Sequence, residues 1–246
     1  MHIPHDTAIS TDVDVTSEIT RNGFSIVKGA LLRVPETIGD AVGPFVASYD
    51  DLLPDPYLPD GGRYRYRRHT RYTYDAVTGE LRVKDNPGYF QTRENNPFAG
   101  GQMRKYEELD EAIQYNPFLC SLIAFNVAQL PAKKVERWEV QAHCVRIVAR
   151  PDERGRPTPE GVHRDGCTFI SLHMVRRHNV SGGETRIYSP DGEPITETLF
   201  TEAFDSFFGD DIRIRHGVGD VSIADPALGA GTRDMLLMSY DPVEQI

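Results

Sequence analysis

Alternation dominates the second half of the chain. From residue 135 onward, VERWEVQAHCVRIVAR, CTFISLHMVRRHNV, GETRIY, DIRIRHGVGDVSI and GTRDMLLMSYD follow one another, parted by turn signals such as PDERGRPTPEG, SGG and SPDGEP. Period two sends successive side chains to opposite faces of a strand, so each segment is predicted to be a short strand with a buried face. Upstream, GRYRYRRHTRYTYD alternates as strongly, with GELRVKD as its predicted hairpin partner, and GFSIVKG reads as a strand. Helical spacing appears in three places. TSEITRNG predicts a short helix with Thr16 or Ser17 as N-cap and Gly23 as its stop. VPETIGDAVGPFVASYDDLL has helical spacing broken by Gly and Pro, and NPFLCSLIAFNVAQL is a stronger helix. TETLFTEAFDSFFGDD is predicted to be helical or irregular between two strands. Helices followed by a dense series of strands predict a mainly β (α+β) fold, a jelly-roll-like barrel with helices packed outside.

Length and composition narrow this picture. The 246 residues suit one domain, with an N-terminal helix-and-strand embellishment over about 1–130 and a core barrel over about 131–246. A net charge of -10 argues against nucleic acid or an anionic membrane as the main partner. No stretch approaches the ~18 apolar residues that cross a bilayer. The start, MHIPHDTAISTDVDV, lacks the basic and apolar regions of a signal peptide, so a cytoplasmic location is expected. Cys120, Cys144 and Cys167 form no CxxC pair and are read as small buried residues. Oligomeric state is left open.

The candidate chemistry begins at GVHRDG. His163 and Asp165, at i and i+2 on an extended segment, share a face. In DIRIRHG, Ile212, Ile214 and His216 fall on one strand face and Arg213 and Arg215 on the other, which points His216 into the barrel. Two imidazoles and a carboxylate can occupy one face of an octahedral metal, the ligand set of non-heme Fe(II) oxygenases. Arg233 follows His216 by 17 residues at the start of the last predicted strand. A cation there can pair bidentately with a carboxylate deep in the pocket. His143 and His173 also fall on strands and are read as wall or hydrogen-bonded core positions; Trp138 and Phe169 are read as core.

These motifs carry a resemblance. GVHRDG with its following Phe, RRHNVSGGETRIY, the late RHGV and GTRDMLLMSYDP resemble the bacterial 2-oxoglutarate/Fe(II)-dependent dioxygenases that include L-isoleucine dioxygenase. GGRYRYRR and YFQTRENNPFAGGQMRKYEEL extend the likeness over most of the chain. It implies a double-stranded β-helix, cupin-like in shape, with Fe(II) held by His163, Asp165 and His216 as the catalytic centre. It also implies that Arg233 binds the distal carboxylate of 2-oxoglutarate. O₂ would be the second co-substrate. The expected reaction is hydroxylation of an unactivated carbon of a free, aliphatic or cyclic L-amino acid, with release of succinate and CO₂.

A free amino acid needs an anion receptor and an ammonium acceptor. Arg63, Arg65 and Arg67 alternate with Tyr64 and Tyr66, so one strand face can present arginines to a substrate carboxylate. The same pattern also suits a basic edge strand that deters pairing. Gln91, Asn95 and Arg104 are further polar candidates for the substrate, or members of an ordinary loop. Two alternatives stay open: the same chemistry on a carrier-tethered or peptidyl residue, and a cupin-like binding protein without turnover.

Overall fold

The computed structural model describes residues 1–243. Four α-helices form among the described residues: α1 (Val15–Asn22), α2 (Glu36–Ala47), α3 (Glu111–Gln114) and α4 (Pro117–Gln129). Asp14, rather than Thr16 or Ser17, caps α1, its carboxylate accepting the Ser17 N–H at 3.0 Å. A carboxylate there satisfies an orphan donor and also meets the positive end of the helix dipole. Gly23 ends α1 as expected. Asn116 caps α4, accepting the N–H groups of Phe118 and Leu119, and Pro117 opens the first turn.

The principal strands, in chain order, are β1 (Phe24–Val27), β2 (Arg65–Asp75), β3 (Glu80–Lys84), β4 (Arg137–Ala149), β5 (Phe169–His178) and β6 (Val180–Gly182). They continue with β7 (Thr185–Tyr188), β8 (Pro194–Thr198), β9 (Ser206–Asp210), β10 (Arg215–Val218), β11 (Val221–Ile223) and β12 (Gly231–Pro242). Two expectations fail here. TETLFTEAFDSFFGDD contributes no helix but the end of β8 and all of β9. β9 is paired on both sides and Ser206 to Gly209 are all buried, so its apolar run lacks the alternation that marks a half-exposed strand. Ile212 sits in a turn and is 61% exposed, because β10 starts only at Arg215. It does not share a face with His216.

The major antiparallel sheet runs β1-β9-β5-β12-β4-β2, with β3 hairpinned onto β2. A smaller sheet, β8-β7-β10, brings His216 and Val218 of β10 to the cavity wall, and β6 and β11 form a separate ladder. The two sheets closing on one interior make a double-stranded β-helix. N-terminal strands β1 and β2 belong to the same sheet as β4, β5, β9 and β12.

Period two divides the major sheet into two faces. Val140, Ala142 and Cys144 of β4 and Leu236, Met238 and Tyr240 of β12 pack with α2 and α4. His143, Val145 and Ile147, with Arg233, Met235 and Leu237, line the interior cavity. Each large apolar side chain buried under the helices contributes about 1.5–3 kcal/mol. On that helix-facing side, Asn126 Nδ2 lies 3.2 Å from Ser171 Oγ, 2.9 Å from His173 Nε2 and 2.8 Å from the Tyr240 hydroxyl. His173 Nδ1 lies 2.7 Å from Ser206 Oγ, so His173 is a hydrogen-bonded core residue. Trp138 and Phe169 are buried as expected. Cys120 and Cys144 are buried, whereas Cys167 is half-buried; all three are free thiols.

Candidate active site

The segment after β4 and the start of β10 meet in one isolated bridge. The His163 N–H donates to the His216 carbonyl at 2.9 Å and the His216 N–H returns the bond at 3.0 Å. Opposed in this way, the two imidazoles lie 4.5 Å apart between ring centres. Asp165 places Oδ1 3.5 Å from His163 Nε2 and Oδ2 3.7 Å from His216 Nε2. The three ligand atoms lie within 4.8 Å of one another, the single such cluster among the described residues.

Surrounding contacts fix these groups. His163 Nδ1 is 3.0 Å from the Gly161 carbonyl, which can only accept, so Nδ1 carries the proton and Nε2 is left facing Asp165. Asp211 accepts the N–H groups of Asp165 (3.0 Å), Gly166 (2.7 Å) and Cys167 (3.2 Å), gathering the loop around one carboxylate. Gly166 has φ +84°, a conformation that strains any other residue, and a Cβ there would also lie 2.1 Å from Asn95 Nδ2, which would have to swing aside. Asn95 packs against the back of the loop.

The electrostatics suit a cation. Burial opposes charge on His163, but the Asp165 carboxylate outweighs it and pushes the imidazole up to about 9. Burial and the neighbouring His163 charge push His216 down to about 4. Despite burial, the two histidines hold Asp165 well below the usual carboxylate range. Two nitrogen donors and one oxygen donor converging from one side fit Fe(II) with its remaining positions open.

Deeper in the cavity, Arg233 is 3% exposed, and its Nε and Nη2 have no hydrogen-bond partner. Burial and the charge of Arg177 push its guanidinium down to about 10, still protonated at neutral pH. Leu172, Met235, Ile147 and Leu237 line the same cavity. An unpaired buried guanidinium in a largely apolar chamber fits one end of a small dicarboxylate with a methylene spacer. Gly183, at φ +81°, lets the chain pass this arginine: a Cβ there would lie 3.3 Å from Arg233 Cδ.

Of the arginines proposed for the substrate, Arg65 and Arg67 line the cavity and Arg63 does not. β2 begins only at Arg65, so the alternation that would turn Arg63 inward has not started. Its side chain is 67% exposed and meets Asp152 at 3.1 Å. Arg65 is already paired, its Nε 2.7 Å from buried Asp55. Arg67 has no ion pair among the described residues and no partner for Nε; its guanidinium lies 5.1 Å from the centre of the Tyr106 ring. Arg104 stacks on Tyr89 and donates from Nη2 to Gln91 Oε1 at 2.6 Å. Gln91 Nε2 in turn donates to the Asp165 carbonyl at 3.2 Å and to Oδ1 at 3.3 Å.

Sequence reasoning missed several wall residues. Asn96, not Asn95, faces the cavity and donates to Gln91 Oε1 at 3.1 Å. His143, by contrast, lines the wall, one of the two positions its sequence allowed, and stacks on His69 with centres 4.1 Å apart. Burial drives both towards the neutral form, His69 to about 3. Glu160 also faces the cavity, within a stretch whose Pro and Gly content reads as a turn. The HRDG motif three residues later was the only signal that could have drawn attention to it.

Fold and site together define a non-heme iron oxygenase, and the chain belongs to the 2OG-Fe dioxygenase family, whose sequence model matches residues 46–239. It is a 2-oxoglutarate/Fe(II) dioxygenase, of a family that uses Fe(II), 2-oxoglutarate and O₂. It is similar to the 3(1)-hydroxy-L-isoleucine 4-dioxygenase of Pantoea ananatis (strain AJ13355), 25% identical over 247 residues, spanning 95% of this chain and 97% of that protein. The L-isoleucine-4-hydroxylase of Bacillus thuringiensis is 23% identical over 175 residues, 69% of this chain and 71% of that protein. Among solved structures, a BsmA homologue from Methylobium petroleophilum PM1 superposes with a TM-score of 0.81 at 30% identity, covering 93% of this chain and 92% of that one. No helix among the described residues is long and apolar enough to cross a membrane.

Proposed function

We propose that the protein hydroxylates a free L-amino acid, aliphatic or cyclic, at an unactivated carbon, converting 2-oxoglutarate and O₂ to succinate and CO₂. The observation that carries this reading is Arg67, a guanidinium with no ion-pair partner in the same cavity as the His163, Asp165 and His216 cluster. Arg67 is half-buried with its Nε enclosed and unpartnered, so the cavity offers a cation that an anion would complete, and the carboxylate of a small substrate supplies one. Two relatives whose names specify isoleucine or its hydroxylated form support the same class.

In this reading His163, Asp165 and His216 hold the iron, and Arg233 holds the far carboxylate of 2-oxoglutarate. Bound there, iron and 2-oxoglutarate would supply the oxidising chemistry, using O₂, that an unactivated carbon requires. The chain's own contribution is placement. Arg67 and Arg104 anchor the substrate, Gln91 ties that anchor to Asp165, and Leu172, Val218 and Met235 keep water from the reacting carbon. The chain from 1 to 246 acts as one catalytic domain, a reading supported by β1 and β2 sharing the major sheet.

The test is succinate formation by anaerobically Fe(II)-loaded protein given 2-oxoglutarate, O₂, ascorbate and a panel of free L-amino acids. Succinate that rises with one amino acid, alongside a product one oxygen heavier, is the expected result. If 2-oxoglutarate binds and no free amino acid stimulates turnover, the substrate is tethered or larger and the proposal fails.

A further inference from the structure

Glu160 is a charged cavity group that the reaction so far leaves without a task. Its side chain is 8% exposed, Oε1 lies 3.6 Å from His163 Nε2, and Oε2 is buried with no hydrogen-bond partner. It stands outside the cluster of ligand atoms formed by His163, Asp165 and His216. Its charged neighbours are His163 and, at longer range, Arg67, and no ion pair joins it to Arg67. Once His163 Nε2 is committed to a metal, it has no proton to offer this carboxylate. Glu160 is then a buried anion facing the cavity with an oxygen unsatisfied, a costly arrangement unless a cation arrives.

Two unpaired opposite charges therefore line one cavity beside the triad, the Arg67 guanidinium and the Glu160 carboxylate. Their signs match the two ends of a zwitterion. We propose that Glu160 receives the α-ammonium group of the substrate while Arg67 receives its carboxylate, an assignment that rests on the amino-acid reading above. Free amino acids are thereby favoured over residues whose nitrogen is acylated, because an amide nitrogen carries no charge for Glu160 to meet. A carrier-bound aminoacyl group keeps its ammonium but has no carboxylate for Arg67. Glu160 is thus a specificity residue that reads the free amine.

The experiment is anaerobic calorimetry on the Fe(II)- and 2-oxoglutarate-loaded protein, wild type and Glu160→Gln. The probes are L-isoleucine and the other free L-amino acids, each binder being compared with its deamino acid. The wild type is expected to bind at least one amino acid more tightly than its deamino analogue. Glu160→Gln should weaken the amino acid by roughly tenfold to a hundredfold and leave the deamino acid within about twofold. Iron and 2-oxoglutarate affinities, measured in parallel, should be unchanged. If the amino acid binds both forms equally, Glu160 is not the ammonium receptor, although the amino-acid reading stands. A fall in iron affinity assigns Glu160 to the metal instead and overturns the inference. If no amino acid binds the wild type, the amino-acid reading fails first and this inference falls with it.

Discussion

The two faces of the major sheet bury polar groups on opposite terms. On the helix-facing side, Asn126, Ser171, His173, Ser206 and Tyr240 are uncharged and joined by contacts of 2.7–3.2 Å. On the cavity side, Arg67, Arg104, Arg233 and Glu160 each keep a buried nitrogen or oxygen without a partner. In β4, β5 and β12, which send side chains to both sides, the two faces differ only by one residue of phase. The helix-facing network is uncharged, with only Asn126 Oδ1 left without a partner, and it holds the core together. An unsatisfied, charged one marks where ligands complete the structure.

The sharpest way to break this comparison is at the metal ligands. His216→Ala should abolish iron retention and reduce succinate formation by more than about a thousandfold. Iron stoichiometry after desalting and a single-turnover assay check it. Next in size is Arg233→Met, which keeps volume and removes the charge. It should raise the dissociation constant for 2-oxoglutarate by roughly a hundredfold, read by anaerobic titration, with iron content unchanged.

The helix-facing side answers to pH rather than to ligand. Burial pushes His173 down to about 3 from an ordinary value near 6.5. Below pH 6.5 the unfolded chain gains a proton here that the folded chain refuses until about pH 3. The unfolded state binds more protons in that window, so stability falls as pH drops through it. Urea midpoints followed from pH 7 to pH 4 should decline less steeply in His173→Gln than in the wild type. The smallest effect belongs to Arg63→Ala, which should leave every kinetic constant within about twofold, because that arginine pairs at the surface with Asp152. A large rise in KM for the amino acid would return Arg63 to the cavity.

Much of this division was legible from the sequence where one strand face is polar or exposed. Alternation in GRYRYRRHTRYTYD and VERWEVQAHCVRIVAR reports the sheet directly, and His163, Asp165, His216 and Arg233 stand out by chemistry and order. Legibility fails where burial is two-sided or where a residue lies outside a strand. Ser206–Asp210, paired on both edges and apolar throughout, loses the period that identifies a strand. Arg63 and Ile212 keep the period on paper but fall just before the first residue of β2 and of β10. Asn95 and Asn96 are chemically identical neighbours, and only the loop's path turns the second inward. Glu160 reaches the cavity through a turn, where spacing carries no information about facing.

The carboxylate of Asp211 has a consequence for how the enzyme meets its metal. By gathering three successive N–H groups, it gives the Asp165 loop its shape from protein atoms alone. Iron then enters a mould already cast and need not drive the loop to fold around it. The ion's binding free energy is expressed as occupancy, and the thermal midpoint should climb with the logarithm of added metal as simple mass action dictates. A cell that runs short of iron would accumulate this enzyme as a folded, idle reserve, ready to be charged when supply returns.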